Sequence, residues 1–485
     1  MAESNHINEL RRDVLRRVAV AFMHTNEPAR EVEAIPFVMR PKNHRHDRCC
    51  IYQDRAILRY RCMAAMGFLP EDEEDDDSIS LGVFAARALQ RNRPSMPIIS
   101  ACNTACHGCV KVRYFVTNVC QKCIAHPCVG SCRFGAISIF NGQSQIDASK
   151  CRNCGMCQGA CPFGAIVKLS VPCEEACPVG AITKGADERR AEIDFVKCIS
   201  CGRCMRACPF GAVLERSEIV DVLRLFSRQE HVTALVAPAI AGQFPVPLGK
   251  VFSGLKRLGF SAVMEVAAGA DITSVKEAGE FVERMERGDK FMTTSCCPGY
   301  VQAVRRSMPE VAPFVSDTST PMHYTAELAR ELEPETRTVF IGPCVAKRVE
   351  GLFDTAVNHV LTFEELGALF AAADIDLAEC PDEMPETTPS SSGRRYAVTG
   401  NVAAAVKEMV GDRVEVKAVQ INGLSLKNIR LLRSFATGNC PGNLVEVMAC
   451  EGGCVGGSGV LGERAKATRE VEALAGKASF SKPAA

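Results

Sequence analysis

Four cysteines within eleven residues, Cys151, Cys154, Cys157 and Cys161, followed at once by Pro162, constrain this chain more than any other feature. The run recurs at Cys198, Cys201, Cys204 and Cys208, followed by Pro209. In such a run three thiolates wrap one cubane iron–sulfur cluster and the fourth reaches to its neighbour. Zinc prefers two separated pairs of ligands. A disulfide framework belongs to short secreted domains that cannot build a core, whereas this chain has 485 residues, 47% of them hydrophobic, and 27 cysteines. Arg11, Arg12, Arg16 and Arg17 precede an apolar stretch, Val18–Met23, that is too short for an export signal and ends at His24-Thr25-Asn26. A reducing, cytoplasmic setting is therefore expected.

Residues 101–218 hold 17 of the 27 cysteines. A variant copy of the run, Cys120, Cys123, Cys128 and Cys132, carries Arg133 where the proline would stand. Its spacing from the Cys151 run resembles that of two-cluster bacterial ferredoxins. The resemblance implies one [4Fe–4S] cluster on Cys120, Cys123, Cys128 and Cys161, and a second on Cys132, Cys151, Cys154 and Cys157. The Cys198 run needs a partner half, and Cys173 with Cys177-Pro178 supplies only its last two ligands. A nested arrangement completes it, with Cys106 and Cys109 as the missing front and the first two-cluster unit inserted behind them. A third cluster would then use Cys177, Cys198, Cys201 and Cys204. A fourth would use Cys106, Cys109, Cys173 and Cys208, unless Cys102 replaces one of these. His107 and His126 read as bystanders. Three to four clusters in a row serve to carry single electrons to or from a buried site.

Residues 1–100 read as a helical region, with Leu10, Val14, Val18 and Phe22 on one face and a similar run from Ile51 to Phe68. Pro36–Arg48 reads as a loop and Glu71–Asp77 as a solvated acidic run. Cys49, Cys50 and Cys62 follow no ligand spacing and are expected as buried structural thiols. Within 101–218 the inner ferredoxin-like unit spans about 110–170 and the outer about 171–218, with short strands near Ala136–Ile139 and Gly164–Ile166. From 219 to 470 apolar runs (Thr233–Pro238, Thr338–Ile341, Tyr396–Thr399, Val414–Val419) alternate with helical stretches (Val275–Glu286, Val402–Met409), the pattern of parallel strands with crossover helices. Cys380–Arg395 reads as a mobile surface loop and 471–485 as a frayed tail. Lys plus Arg and Asp plus Glu both number 57, which removes the electrostatic case for a nucleic-acid partner. No apolar run reaches the roughly 18 residues of a membrane span.

Three further segments carry chemistry: Thr294-Ser295-Cys296-Cys297-Pro298-Gly299-Tyr300, Gly342-Pro343-Cys344 through Glu350, and Glu446 through Gly457 with Cys450 and Cys454. Together and in order they resemble the signature segments of the [FeFe]-hydrogenases, over about residues 230–465. The resemblance implies an α+β multi-domain protein, with ferredoxin-like [4Fe–4S] domains followed by a two-lobed α/β catalytic domain at 219–470. It implies that Cys297, Cys344, Cys450 and Cys454 hold the [4Fe–4S] part of an H-cluster. Cys454 would also bridge to a two-iron subsite carrying CO, cyanide and azadithiolate. Cys296 would be the terminal proton donor, Lys347 a donor to cyanide, Met448 a lining residue, and Ala237 and Pro238 part of the wall. Glu280, Ser316 and Glu277 would form the proton route to Cys296.

Tyr300 replaces a common Trp of the family, Gly342 a Met and Met322 a more usual polar residue, and Ser458 interrupts a triple glycine. These departures resemble the monomeric multi-cluster branch sometimes called group B. The implied activity is reversible H₂ oxidation and proton reduction, with ferredoxin or a flavodoxin-like carrier and the hydrogenase maturases as partners. The alternatives are an H₂-sensing or an iron–sulfur-assembly relative.

Overall fold

The computed structural model describes residues 6–43, 47–73, 79–109, 113–185, 190–385 and 388–478. Residues 74–77 of the expected acidic run and 479–485 of the expected tail therefore lie outside the described residues. Four helices open the chain: His6–His24, Pro28–Met39, Ile51–Ala65 and Leu81–Gln90. The second runs on through Pro36 to Met39, with the proline inside the helix at the loss of its bond to the Val32 carbonyl. The expected loop thus begins only after it. This region does not stand apart. Val14, Leu15 and Val18 share one core with Leu366 and Leu369 of the helix Phe363–Ala372, and Arg12 ion-pairs with Glu364 at 3.3 Å. Cys62 is buried as expected, but Cys49 is exposed and Cys50 half-exposed, since both sit on the turn that caps the third helix.

The cysteine-rich region is built from two-stranded antiparallel pairs: Ile99–Ala101 with Val213–Glu215, Tyr114–Val116 with Ile166–Lys168, Ile137–Phe140 with Gln143–Ile146, and Ile182–Lys184 with Ala191–Ile193. The first pair closes around everything between Cys102 and Ala212, so the inner unit is an insertion within the outer one.

The C-terminal half holds two parallel sheets. Its strands are β1 (Val232–Val236), β2 (Ala262–Glu265), β3 (Met292–Thr293), β4 (Arg337–Gly342), β5 (His359–Thr362), β6 (Ala418–Asn422) and β7 (Leu444–Met448). One sheet has the order β2-β1-β4-β5 and the other β3-β7-β6. β1, β4 and β7 are buried along almost their whole length, which is why β1 and β4 read as apolar runs. Two expected strands differ. Tyr396–Thr399 forms only a single bridge, Val398 to Gly453, because it is a turn between helices Ser391–Arg395 and Asn401–Val410. Val414–Val419 enters the sheet only from Ala418. Within the expected loop Cys380–Arg395, Cys380 and Ser390 are buried, and Ser390 donates its amide to Asp271 at 2.8 Å. The helix Arg464–Ala475 buries Val471 and continues five residues past position 470.

A cysteine-lined cavity and its cluster approaches

The helix Ala267–Glu286 sets the geometry of the candidate site. Its buried stripe runs Ala270, Ser274, Glu277, Ala278, Phe281, a spacing of three and four that faces the core. Glu277 lies on that stripe and is fully buried. Beyond the end of β3 the chain turns through Ser295 and Cys296 to Cys297, the cap of helix Pro298–Ser307. Cys344 follows β4, and Cys450 and Cys454 follow β7. The carboxyl ends of three strands thus deliver their loops to one crevice, as in open α/β sheets generally.

One cavity is lined by Cys296, Cys297, Cys344, Cys450 and Cys454 together with Ala237, Pro238, Lys347 and Met448. These are the residues singled out from separate stretches of sequence. Met322, Phe340 and Val266 complete apolar walls. Burial raises all five thiols: Cys344 to about 11, Cys454 to about 12, and Cys297, Cys450 and Cys296 upward as well. For Cys296 the nearby Glu277 carboxylate adds to burial. The Lys347 ammonium opposes the shift at Cys297, Cys344 and Cys454 without cancelling it, and buried, converging thiols of this kind are a donor set suited to a metal cluster.

The backbone comes close to this space. A Cβ on Gly457 would lie 2.4 Å from the carbonyl oxygen of Pro343, so only glycine lets the Cys344 and Cys454 loops touch. The departures from the family pattern have local reasons. Tyr300 Oη and Thr293 Oγ1 share a hydrogen bond of 2.8 Å. The Phe340 ring fills the place a side chain on Gly342 would take. Ser458 Oγ donates to the carbonyl of Cys201 at 3.0 Å.

Behind Cys296, Glu277 Oε1 accepts from the Ser295 amide at 3.0 Å and faces Ser295 Oγ at 3.4 Å. Its Oε2 is buried without a hydrogen-bond partner. Burial raises this carboxyl to about 7, the Ser295 amide opposing and the charge of Glu280 adding. Ser316 donates not to Glu277 but to Glu280 Oε2, at 2.5 Å. Thr318 Oγ1 and the Asp317 amide also donate to Glu280, at 2.8 and 3.0 Å, and Arg284 pairs with it at 2.7 Å. Burial would raise Glu280, but these donors outweigh it and hold the carboxyl below its usual value. Ser295 Oγ donates to the Thr318 carbonyl at 2.5 Å, so residues 316–318 join the two glutamates. Ser295 and Thr318 were not singled out from the sequence. Ser295 stands inside the first signature segment, which was the available signal. Lys347 is buried and finds its anionic partner in Glu350, at 2.7 Å, with Thr320 Oγ1 at 2.9 Å.

The N-terminal cysteines cluster along the cysteine-rich region. Cys120, Cys123, Cys128 and Cys161 line one small cavity. Cys132 packs in one core with Cys157, which is raised by burial and by the neighbouring Cys151 and Cys154. Cys204 is raised by burial and then by Cys201, Cys198 and Cys177. Cys173 is pushed up to about 11 by burial, with Lys184 opposing and Cys208 and Cys109 adding; Cys106 packs in the same core. Cys102 is buried beside Cys106 and Cys208. Among the described residues no group of three or more His, Cys, Asp or Glu closes on a single metal ion. A cubane holds its thiolates apart by the breadth of the cluster, so sites spaced for cubanes are not spaced for one ion. Cys201 also lines the cavity of Cys296, Cys297, Cys344, Cys450 and Cys454.

Residues 230–458 match the model of the iron only hydrogenase large subunit, C-terminal domain. Residues 172–212 match a 4Fe-4S dicluster domain and 144–167 a 4Fe-4S binding domain. The chain is 28% identical to iron hydrogenase 1 of Clostridium pasteurianum over 289 residues, covering 48% of this chain and 50% of that protein. It is 29% identical to the NADP-reducing hydrogenase subunit HndD of Solidesulfovibrio fructosivorans, over 64% of this chain and 55% of that one. It is 23% identical to the cytosolic Fe-S cluster assembly factor NAR1 of Eremothecium gossypii, over 44% of this chain and 62% of that one. The chain thus spans about half to three-fifths of the length of these curated relatives. No helix among the described residues is long and apolar enough to cross a membrane. With both 4Fe-4S segments ahead of the matched C-terminal domain, the chain is a homologue of the iron-only hydrogenase large subunits.

Proposed function

We propose that this protein is an [FeFe]-hydrogenase of the monomeric multi-cluster type. It interconverts H₂ with protons and electrons and exchanges the electrons, through its [4Fe–4S] clusters, with a ferredoxin or flavodoxin-like carrier in the cytoplasm. The observation that carries this reading is the single cavity in which Cys297, Cys344, Cys450 and Cys454 meet a fifth thiol, Cys296, with the near-neutral carboxyl of Glu277 behind it. Four thiols are enough for a cubane, and the fifth is free for another task.

Cys297, Cys344, Cys450 and Cys454 would hold the cubane of an H-cluster, with Cys454 shared with the two-iron subsite. That cluster, with its CO, cyanide and azadithiolate ligands installed by maturases, supplies the redox chemistry that makes and splits H₂. The protein's own residues do the rest. Ala237, Pro238, Met322, Phe340 and Met448 keep water from the cavity. Glu350 and Thr320 fix the Lys347 ammonium at the cavity wall, where it would meet an anionic cyanide. Cys296 holds a proton at Sγ, Glu277 holds the next at its carboxyl, and Ser295 and residues 316–318 connect it to Glu280. A stop near pH 7 is suited to passing protons both ways. Ser316, the Asp317 amide, Thr318 and Arg284 together keep Glu280 ionised toward solvent. Electrons leave or enter through the site of Cys177, Cys198, Cys201 and Cys204, whose loop touches the cavity at Cys201.

An iron–sulfur-assembly role is the second reading, favoured by the NAR1 similarity. A sensor would share the cavity but turn over slowly. Infrared spectroscopy of protein co-expressed with maturases separates them, combined with H₂ evolution from a reduced viologen dye. CO and cyanide bands with rapid turnover support the hydrogenase; bands with little turnover support the sensor. Absence of bands from a chain that carries all its [4Fe–4S] clusters would refute both in favour of the assembly role.

A further inference from the structure

We propose that the inserted two-cluster unit is the docking face for a small acidic ferredoxin-type carrier, held by Lys122, Arg133 and Arg152. This rests on the cluster assignment above and not on the hydrogen chemistry. The unit is placed to be the outer end of the electron path. It is inserted between Cys109 and Cys173, two ligands of the fourth site, and its strands and short helices make their main contacts with one another. The fourth site itself is covered, because Ile57, Ala64 and Leu69 of the N-terminal region pack over Cys102, Cys106 and Cys208. The third faces the catalytic cavity. Among the four, the second site presents an exposed ligand, Cys154.

The charge of this unit is unlike that of the chain. The whole sequence is neutral, yet residues 113–170 contain six Lys and Arg against one Asp, a net charge of +5. Three of the six are tied down: Arg113 by Glu174, Lys168 by Glu175 and Lys150 by Asp147. The other three, Lys122, Arg133 and Arg152, are exposed and form no ion pair among the described residues. Each sits directly beside a cluster ligand: Lys122 before Cys123, Arg133 after Cys132, and Arg152 after Cys151. Arg133 occupies a position that is proline after Cys161, Cys177 and Cys208. Exposed apolar side chains alternate with these cations, Ile124 at 96% exposure, Phe134 at 48% and Met156 at 41%. Exposed, unpaired cations and exposed apolar side chains beside cluster ligands suit an acidic carrier: the charges steer the encounter and the apolar side chains exclude water at contact.

The test uses the full, cluster-loaded chain and a reduced acidic plant-type [2Fe–2S] ferredoxin as probe. Stopped-flow bleaching of the chain's clusters is compared between wild type and Lys122→Glu/Arg133→Glu/Arg152→Glu. At low ionic strength the second-order rate falls roughly tenfold or more, and the difference closes as salt shortens the Debye length. Binding of oxidised ferredoxin, measured by calorimetry, weakens in step. Reduced methyl viologen, a small cation, bleaches the variant at least as fast as wild type, and Lys122→Arg/Arg133→Lys/Arg152→Lys keeps the wild-type ferredoxin rate. Wild-type ferredoxin rate and affinity in the Glu variant overturn the proposal, as does an equal slowing with methyl viologen, which would place the defect in the clusters. No readout involves H₂, so loss of this docking face and loss of the hydrogenase reading are separate results.

Discussion

Glu277→Gln tests the central physical claim, that a carboxyl is held near neutrality by burial. In an unfolded chain this group ionises near its usual value of 4.5, and in the fold near 7. Between those pH values the folded chain keeps a proton that the unfolded chain has released. Stability therefore falls as pH rises through that window and stays lower above it. At 1.36 kcal/mol per pH unit, the loss is on the order of 3 kcal/mol. Glutamine carries no charge, so it escapes this loss. Its NH₂ must instead sit where Glu277 Oε2 finds no partner, at a cost of about 1 kcal/mol. The variant should thus be less stable than wild type by about 1 kcal/mol at pH 3.5, about equal to it near pH 5, and more stable by about 2 kcal/mol at pH 8. The chain has no Trp, so anaerobic urea unfolding is followed by circular dichroism, with the difference between the two proteins read against pH. The same substitution should slow H₂ turnover while leaving the CO and cyanide bands in place. A stability difference that does not change sign with pH, or an infrared carboxyl signal titrating near its ordinary value, would refute the reasoning and remove Glu277 as a proton stop.

Other outcomes follow from single contacts. Cys296→Ala should keep the full iron content and infrared bands yet lose turnover, and near-normal hydrogen evolution would mean that protons arrive by another path. Glu280→Gln should slow turnover less than Glu277→Gln, because Ser316, Thr318 and the Asp317 amide can still order the chain; the comparison is made on initial rates at matched iron content. Gly457→Ala puts a Cβ 2.4 Å from the Pro343 oxygen and should strip iron from the cavity while the N-terminal clusters keep their electron paramagnetic resonance signals. Arg348 is wholly buried and pairs with Glu365 and, at 3.5 Å, with Glu215. Arg348→Met leaves Glu365 buried without its cation, while Glu215 keeps Arg11, and should cost about 3 kcal/mol in thermal or urea unfolding.

The cluster runs were legible because their information is local: cysteines two and three residues apart lie on one loop whatever surrounds it. The three catalytic segments could be read for the same reason, each being a short loop with its own spacing. The bracketing of the cysteine-rich region by one strand pair, Ile99–Ala101 with Val213–Glu215, is a long-range pairing that spacing alone does not show. Where the sequence misled, the deciding contact was distant. Tyr396–Thr399 has the apolar look of a strand, yet it is a turn whose backbone meets Gly453 across the cavity rim. Ser316 matched a family position by spacing, but the partner it bonds is Glu280, while Ser295 serves Glu277.

What the sequence determined by itself was therefore the inventory: which thiols, on which loops, in which order along the chain. What only tertiary structure decided was the environment of each group. Glu277 and Glu280 are three residues apart on one helix, yet one is pushed up toward 7 and the other held below its usual value. No local pattern separates them. The difference comes from residues 295 and 316–318, which arrive from other parts of the fold, and from burial, which is a property of everything packed around a group. The same holds for Cys201 and Ser458, which are 257 positions apart and joined by one hydrogen bond. Ligation is written in short-range spacing, whereas proton affinity and electronic contact between sites depend on long-range packing, and that exists only once the chain has folded.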